Sequence, residues 1–479
     1  MLVPIELKRF AALATTALLC SCTSLTMAPK YERPEAPVAE IFPGADENME
    51  EAAGLADWRS VIADPTLTAL IEAALENNRD LRIAMLNVER ARALYRVQRA
   101  DSLPSVAAEG GYFRQRLGEN ASIGAAGAAG GGSRTEPITI EQYSAEAGVS
   151  AYELDLFGRV RSLNRQALET YFATEEARRS TEISLIAEVA GAYLQLLADR
   201  ERLTIARETV ESQQASYSLT QELVDNGVGN DLDVQRADTS VQRARADAAA
   251  LEAQVAQDEN ALRLLVGQPD LPELSGQLND VELNAAFDDM SSGILLERPD
   301  VLSAERRLRA ANANIGAARA AFFPRIQLTA SAGTTSAELT DLFSAGTGVW
   351  SFAPSVSLPI FTGGRNRAQL KGAKIDRDIA LSDYEKAVQA AFRDVADALA
   401  TRRNIGERLD ATQKLAAASE RTYTLADARF RNGVDNYLSV LDAQRSDYAA
   451  KQELVIVRLE EAVSVISLYR ALGGFPETR

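Results

Sequence analysis

Apolar positions along the chain fall into two contrasting rhythms. Ile183, Ile186, Ala190, Tyr193 and Leu197 step by three and four residues, as do Ile456, Leu459, Val463 and Ile466. That spacing lays one narrow apolar stripe along a helix, the seam of a coiled coil. The stretches that carry it are nearly free of helix breakers. Residues 66–103, 230–266 and 434–472 hold neither Gly nor Pro; residues 159–225 hold only Gly191, and residues 365–431 only Gly372 and Gly406. Very long helices are predicted, the longest reaching on the order of 100 Å at about 1.5 Å per residue. Elsewhere the rhythm changes to two. Trp350, Phe352, Val356, Leu358 and Ile360 alternate with Ser351, Ala353, Ser355 and Ser357; Ile326, Leu328, Ala330 and Ala332 alternate with Arg325, Gln327, Thr329 and Ser331. Such alternation over about ten residues suits a barrel strand with a lipid face and a lumen face. A soluble hairpin laid on the helices would alternate in the same way. A first hairpin, roughly 104–118 and 140–156, alternates less cleanly.

The order of segments repeats. Asn78-Arg79-Asp80-Leu81 opens a stretch that meets Pro104, and Arg298-Pro299-Asp300-Val301 opens another that meets Pro324 at the same distance. The run Gly227 to Val234 matches Gly433 to Val440, and Glu188-Val189-Ala190 matches Asp394-Val395-Ala396, both at one offset. Matched landmarks in one order indicate a duplicated unit reading helix, strand hairpin, very long helix, tight glycine turn, long helix. Gly227 and Gly433 follow long helices and suit the left-handed cap that permits a sharp reversal. The glycine-rich loop from Gly118 to Ser133 lacks the context of a phosphate cradle and reads as a flexible tip, with Ala337 to Gly348 as its counterpart.

Composition narrows the chemistry. The 479 residues contain no histidine, which removes Ser-His and Cys-His catalysis and His-ligated metals; no cofactor or metal site is expected, and an enzyme is improbable. A formal net charge of −17 argues against a nucleic-acid partner. Cys20 and Cys22 are the two cysteines, and both sit behind a basic start, Lys8-Arg9, and an apolar run from Phe10 to Leu19. Leu19 and Ser21 place Cys22 at the modified position of a lipobox, so residues 1–21 read as a lipoprotein signal peptide and Cys22 as the acylated residue. Thr23 follows it rather than aspartate, which favours the outer membrane. No later stretch offers 18 consecutive apolar residues, so entry into a membrane beyond the lipid requires strands closed into a barrel. Four strands cannot close one; the chain must then oligomerise, in a number that strand count alone leaves open.

Several long strings resemble the TolC-like outer membrane factor family, in particular its lipoprotein members in multidrug efflux pumps of the RND type. They include Tyr31-Glu32-Arg33-Pro34, the run Ala74 to Leu81, Tyr152-Glu153-Leu154-Asp155-Leu156-Phe157-Gly158-Arg159, the run Ala311 to Pro324, Leu358-Pro359-Ile360-Phe361 and Gly433-Val434-Asp435-Asn436-Tyr437. The resemblance implies a mainly α fold with a membrane β-barrel: a homotrimer whose twelve strands close one barrel and whose twelve helices continue it as a periplasmic tunnel. It implies a lipidated N-terminal segment over 22–65, a first repeat over 66–266 with its hairpin at about 104–156, an equatorial connector at 267–297, and a second repeat over 298–479 with its hairpin at about 324–361. The partners implied are a periplasmic adaptor (membrane fusion) protein, an inner-membrane RND transporter and outer-membrane lipid. By the same resemblance Leu438 and Asp442, one helical turn apart, match the leucine and aspartate rings of the periplasmic gate, and the turns at Gly227 and Gly433 match the adaptor contacts. Ser439 stands where some relatives carry a second aspartate. On its own spacing Asp442 could instead be an exposed residue paired with Arg445, while Arg431 and Asp435 could tie neighbouring helices together.

The function expected is a passive exit duct for drugs and other toxic compounds, in the outer membrane and extending into the periplasm. A duct for metal ions or secreted proteins, or a structural helical lipoprotein tether with soluble hairpins, are the alternatives.

Overall fold

The computed structural model describes residues 26–43, 58–118, 138–272, 274, 276–284 and 292–474. Cys20, Cys22 and most of the glycine-rich loop lie outside the described residues. The main elements, in chain order, are α1 (Pro65–Asn77), α2 (Arg79–Ala100), β1 (Val106–Leu117), β2 (Ile138–Leu154), α3 (Arg159–Asp225), α4 (Asp231–Val266), α5 (Pro299–Ala320), β3 (Arg325–Ser336), β4 (Gly348–Ser357), α6 (Arg365–Arg431) and α7 (Tyr437–Ala471).

The breaker-free stretch 66–103 is not one helix. Asn78 interrupts it because its side chain accepts hydrogen bonds from the amides of Asp80 (2.9 Å) and Leu81 (3.0 Å), capping α2, while its amide group donates to the Leu265 carbonyl (2.8 Å). Asparagine favours this role because it satisfies amides that the first helical turn leaves unpaired. The two longest helices, α3 and α6, each run for 67 residues, and α2 and α5 each for 22. One 18-residue window of α3 has a mean hydropathy of 1.2, enough by length and composition to cross a membrane, but 56% of it is buried inside the chain. Leu185, Ile186, Val189, Ala190, Tyr193, Leu194, Leu196 and Leu197 are all buried, so packing accounts for that hydropathy.

The four strands form one antiparallel sheet in the order β1-β2-β3-β4, leaving β1 and β4 as edges. Two compact units divide the chain. One comprises Met1–Arg33, Arg90–Tyr171 and Arg306–Ala380 and contains the sheet; the other comprises Pro34–Glu89, Phe172–Glu305 and Leu381–Arg479. Each draws on both sequence repeats, so a repeat is a unit of duplication rather than a compact body.

Within the sheet-bearing unit the segment 26–33 is tied along α5. Asn312 donates to the Pro29 carbonyl (2.9 Å), Arg319 to the Met27 carbonyl (3.0 Å), and the Arg309 guanidinium lies 4.8 Å from the centre of the Tyr31 ring. A Cβ on Gly316 would stand 2.7 Å from the Ala28 nitrogen, so only glycine admits the chain there. In the other unit, residues 61–63 bridge to 282–284, through Ala63 N–H to the Glu282 carbonyl (3.1 Å) and Asn284 N–H to the Val61 carbonyl (2.8 Å).

Candidate functional site

The sheet sorts its side chains by face. Register pairs Ile326 with Val356, Leu328 with Pro354, Ala330 with Phe352 and Ala332 with Trp350. Across the other side of β3 the same face takes Leu154, Tyr152, Val149 and Ala147. The opposite face carries Gln327 with Ser355, Ser331 with Ser351 (hydroxyls 2.8 Å apart), and Glu109 opposite Glu146. Trp350, Phe352 and Val356 stand exposed, with no protein layer over them.

The uneven alternation of the first hairpin has a structural cause. Between Val149 and Tyr152 the register slips: β2 spends three steps where β3 spends two, from Ala330 to Leu328. Ala151 takes φ +53°, and its amide donates to the Thr329 hydroxyl (3.2 Å). This bulge returns Tyr152 and Leu154 to the apolar face, which an unbroken period of two would have denied them.

The apolar face has the height of a membrane. Tyr112 and Tyr143 lie side by side at one end, their rings tilted by 32° with centres 4.7 Å apart, and the Arg114–Glu141 ion pair (3.0 Å) is one row beyond. Tyr143 lies opposite Ser336, and the apolar rows end at Leu154 opposite Ile326. Ten residue steps on β3 span about 33 Å at ~3.3 Å per residue, and about 25 Å of height at a strand tilt of roughly 40°. An aromatic row at the rim and charges beyond it are the features of a barrel's lipid face.

At the helix turns the expected reversals are present. Gly227 (φ +76°) and Gly433 (φ +72°) each close a pair of C-terminal hydrogen bonds. Gly227 N–H bonds to the Val224 carbonyl and Val228 N–H to Leu223; Gly433 N–H bonds to Phe430 and Val434 N–H to Arg429, all at 2.9 Å. The next helices begin on asparagine caps, Asn230 accepting from Asp233 N–H (3.0 Å) and Asn436 from Ser439 N–H (3.2 Å). Behind the turns lies a core not foreseen from the sequence: Ala237, Tyr437, Val440 and Leu441, with Tyr217, Tyr423 and Phe430 against them. It joins α3, α4, α6 and α7. Burial pushes the Tyr437 phenol up to about 12. The Tyr423 hydroxyl meets Ser212 (2.9 Å), which also accepts from Gln444 (3.1 Å).

Leu438 and Asp442 occupy the opposite, exposed side of α7, one turn apart. Asp442 makes no ion pair among the described residues, so the local pairing with Arg445 is not formed. Within the single chain the charged residues of the turn pair locally. Asp435 accepts from Arg429 (2.5 and 3.1 Å), which holds its carboxyl below the usual carboxylate range, and Arg431 pairs with Asp427 (2.8 Å) in its own helix.

The family model described as outer membrane efflux protein matches residues 70–268 and 290–474. The chain belongs to the outer membrane efflux protein family. It is 45% identical to the antibiotic efflux pump outer membrane protein ArpC of Pseudomonas putida over 474 residues, 98% of this chain and 96% of that protein. The toluene efflux pump outer membrane protein TtgC, also of Pseudomonas putida, matches equally, at 45% with the same coverage. The open-state MtrE outer membrane channel of Neisseria gonorrhoeae superposes with a TM-score of 0.82 at 39% identity, over 94% of this chain and 98% of that one. The fold is therefore TolC-like, and the protein is an efflux channel of the outer membrane that extends into the periplasm.

Proposed function

We propose that three copies of the chain form the exit duct of a tripartite pump, their twelve strands closing one barrel. The observation that carries this reading is a four-stranded sheet with a lipid-height apolar face and two unpaired edges. Lipid offers backbone groups no hydrogen bonds, so those edges must pair with further copies. In this reading a periplasmic adaptor and an inner-membrane RND transporter deliver small toxic compounds, and the duct passes them without catalysing a reaction. The relatives named for antibiotics and for toluene support a broad cargo of drugs and apolar compounds. Leu438 and Asp442 form the periplasmic constriction, an apolar collar beside a ring of like charges. The turns at Gly227 and Gly433 receive the adaptor, and Cys22 carries the lipid anchor.

Detergent-extracted protein should be a trimer by light scattering, and should conduct ions in a planar bilayer. A stable, non-conducting monomer would refute the duct and favour a tether. Mass spectrometry of the N-terminal peptide should find Cys22 triacylated; an acylated Cys20 or an unmodified terminus would remove the anchor from the reading.

A further inference from the structure

The charge pattern of the chain inverts where its helices approach the sheet. Against a net charge of −17, residues 90–100 of α2 hold four arginines and no acid, and residues 365–375 of α6 hold two arginines, two lysines and no acid. None of these eight cations makes an ion pair among the described residues. The first repeat treats the same positions differently. Arg159, Arg161 and Arg165 lie 206 positions before Arg365, Arg367 and Lys371, and they meet Glu153 (2.7 Å), Asp155 (3.2 Å) and Glu169 (3.9 Å). At the same offset those acids become Pro359, Phe361 and Ile375, so the second repeat keeps the cations and discards their partners. Helix stability does not ask for this, since cations in a first turn oppose the helix dipole.

Their position supplies a reason. Tyr152, near the lower end of the apolar face, donates its hydroxyl to the Ser102 carbonyl (3.3 Å), so Ser102 marks the rim. Arg99, Arg96 and Arg92 step by three and four residues along one exposed stripe, about 5, 9 and 15 Å below Ser102 at ~1.5 Å per residue. The polar zone of a leaflet is about 5–7 Å deep, and a long arginine stem carries its guanidinium up into it. In α5, 220 positions on, the same stripe is Arg319, Gly316 and Asn312, which holds the segment 26–33. That segment comes from the end of the chain that carries Cys22, so the stripe belongs to the outer side of the wall. Where α5 has Gly316 to admit the segment, α2 has Arg96 and stays bare. On α6, Arg367, Lys371 and Lys374 form a second exposed stripe by steps of four and three. Asn366 beside them donates to the Ala321 carbonyl (2.9 Å), which holds the top of α6 level with the end of α5.

We propose that the two stripes bind the phosphates of anionic glycerophospholipids in the periplasmic leaflet of the outer membrane. This rests on the trimer reading above, which closes the barrel and turns both stripes outward. Guanidinium groups grip phosphate oxygens in pairs of charge-assisted hydrogen bonds, and the acyl chains of the same lipid lie against the apolar face at Tyr152 and Leu154. Free phosphate gains the first contact without the second, so the lipid is the better ligand. The contact also solves an electrostatic problem: an acidic protein meets an anionic leaflet, and only a local excess of positive charge makes that approach attractive.

The test is native mass spectrometry of the full-length protein in detergent, stripped of lipid and titrated with phosphatidylglycerol, with phosphatidylethanolamine and inorganic phosphate as comparisons. The wild-type trimer should bind phosphatidylglycerol at least about tenfold more tightly than phosphatidylethanolamine, and less tightly as salt rises. One variant combines Arg92→Gln, Arg96→Gln and Arg99→Gln; a second combines Arg367→Gln, Lys371→Gln and Lys374→Gln. Each should stay trimeric and weaken the preference, and the two sets together should abolish it. Arg92→Lys, Arg96→Lys and Arg99→Lys keep the charge and should keep the preference. No preference in the wild type, an undiminished one in the six-fold Gln variant, or equal competition by inorganic phosphate overturns the lipid site while sparing the trimer. Loss of the trimer in the Gln variants without lipid assigns the cations to carboxylates of a neighbouring copy and also overturns the site. A monomeric wild type overturns the trimer reading as well.

Discussion

Placing a charge at Phe352 is the sharpest test of the lipid face. Its side chain is 61% exposed in the single chain, opposite Ala330, on the face shared with Val149. Ala330 lies four steps from Ile326 and six from Ser336, which puts Phe352 near the middle of the apolar band, about 10 Å above its lower rim on a tilt of roughly 40°. Phe352→Arg should cost about 2–4 kcal/mol per copy at that depth. At ~1.4 kcal/mol per tenfold, even the lower figure shifts a folding equilibrium about thirtyfold. The assay is reversible urea unfolding in lipid vesicles, read by tryptophan emission and by the band shift of unheated samples on gels. Ser355→Arg is the control, because Ser355 faces Gln327 on the polar side. Equal losses at the two positions, or none at either, would mean that the alternation does not separate lipid from lumen.

At the constriction, Leu438→Ala with Asp442→Ala should raise single-channel conductance and admit bulky antibiotics such as vancomycin; unchanged conductance in a folded trimer would remove both residues from the gate. Gly433→Ala should cost about 1 kcal/mol, since its Cβ would meet nothing within 4 Å and only the positive φ opposes it. Gly267→Ala should lower the melting temperature clearly more, because its Cβ would stand 2.6 Å from the Asn77 carbonyl oxygen; the reverse ranking in thermal unfolding would refute the packing argument. Asp258 is buried against Asp199, whose carboxylate accepts from Arg202 and Gln195 (both 2.7 Å), while Gln254 donates to Asp258 (2.9 Å). Desolvation, opposed by the Gln254 donor and aided by the neighbouring Asp199, holds the Asp258 carboxyl above the usual carboxylate range. A raised value in the folded state contributes stability that is complete below the unfolded carboxylate range and is lost as pH rises through the folded value. Asp258→Asn removes the buried charge, so its melting temperature should exceed that of the native chain on the alkaline side and vary less with pH; a lower one at pH 8 would refute the raised value.

Local rules made much of this protein legible from its residues alone. A period of 3.5 to 3.6 needs only neighbouring turns to declare itself, and the long helices follow from it together with the scarcity of Gly and Pro. Gly227 and Gly433 announce their left-handed caps because no other residue adopts that backbone so cheaply. The clean alternation of 325–336 and 348–357 likewise needs no distant partner to be read. The tertiary structure decided what depends on distant partners. The bulge at Ala151 exists because β2 must keep Tyr152 and Leu154 on the face that β3 defines, so its phase slip looked like noise until the register was known. The break at Asn78 is fixed in part by Leu265, far along the chain, and the choice of Arg429 over Arg431 for Asp435 is set by the geometry of the folded turn. The Tyr437 core gathers four helix ends from both repeats. A one-dimensional pattern records each residue's preference for water or apolar surroundings, but which surfaces meet is settled only when segments far apart in sequence compete for the same contacts.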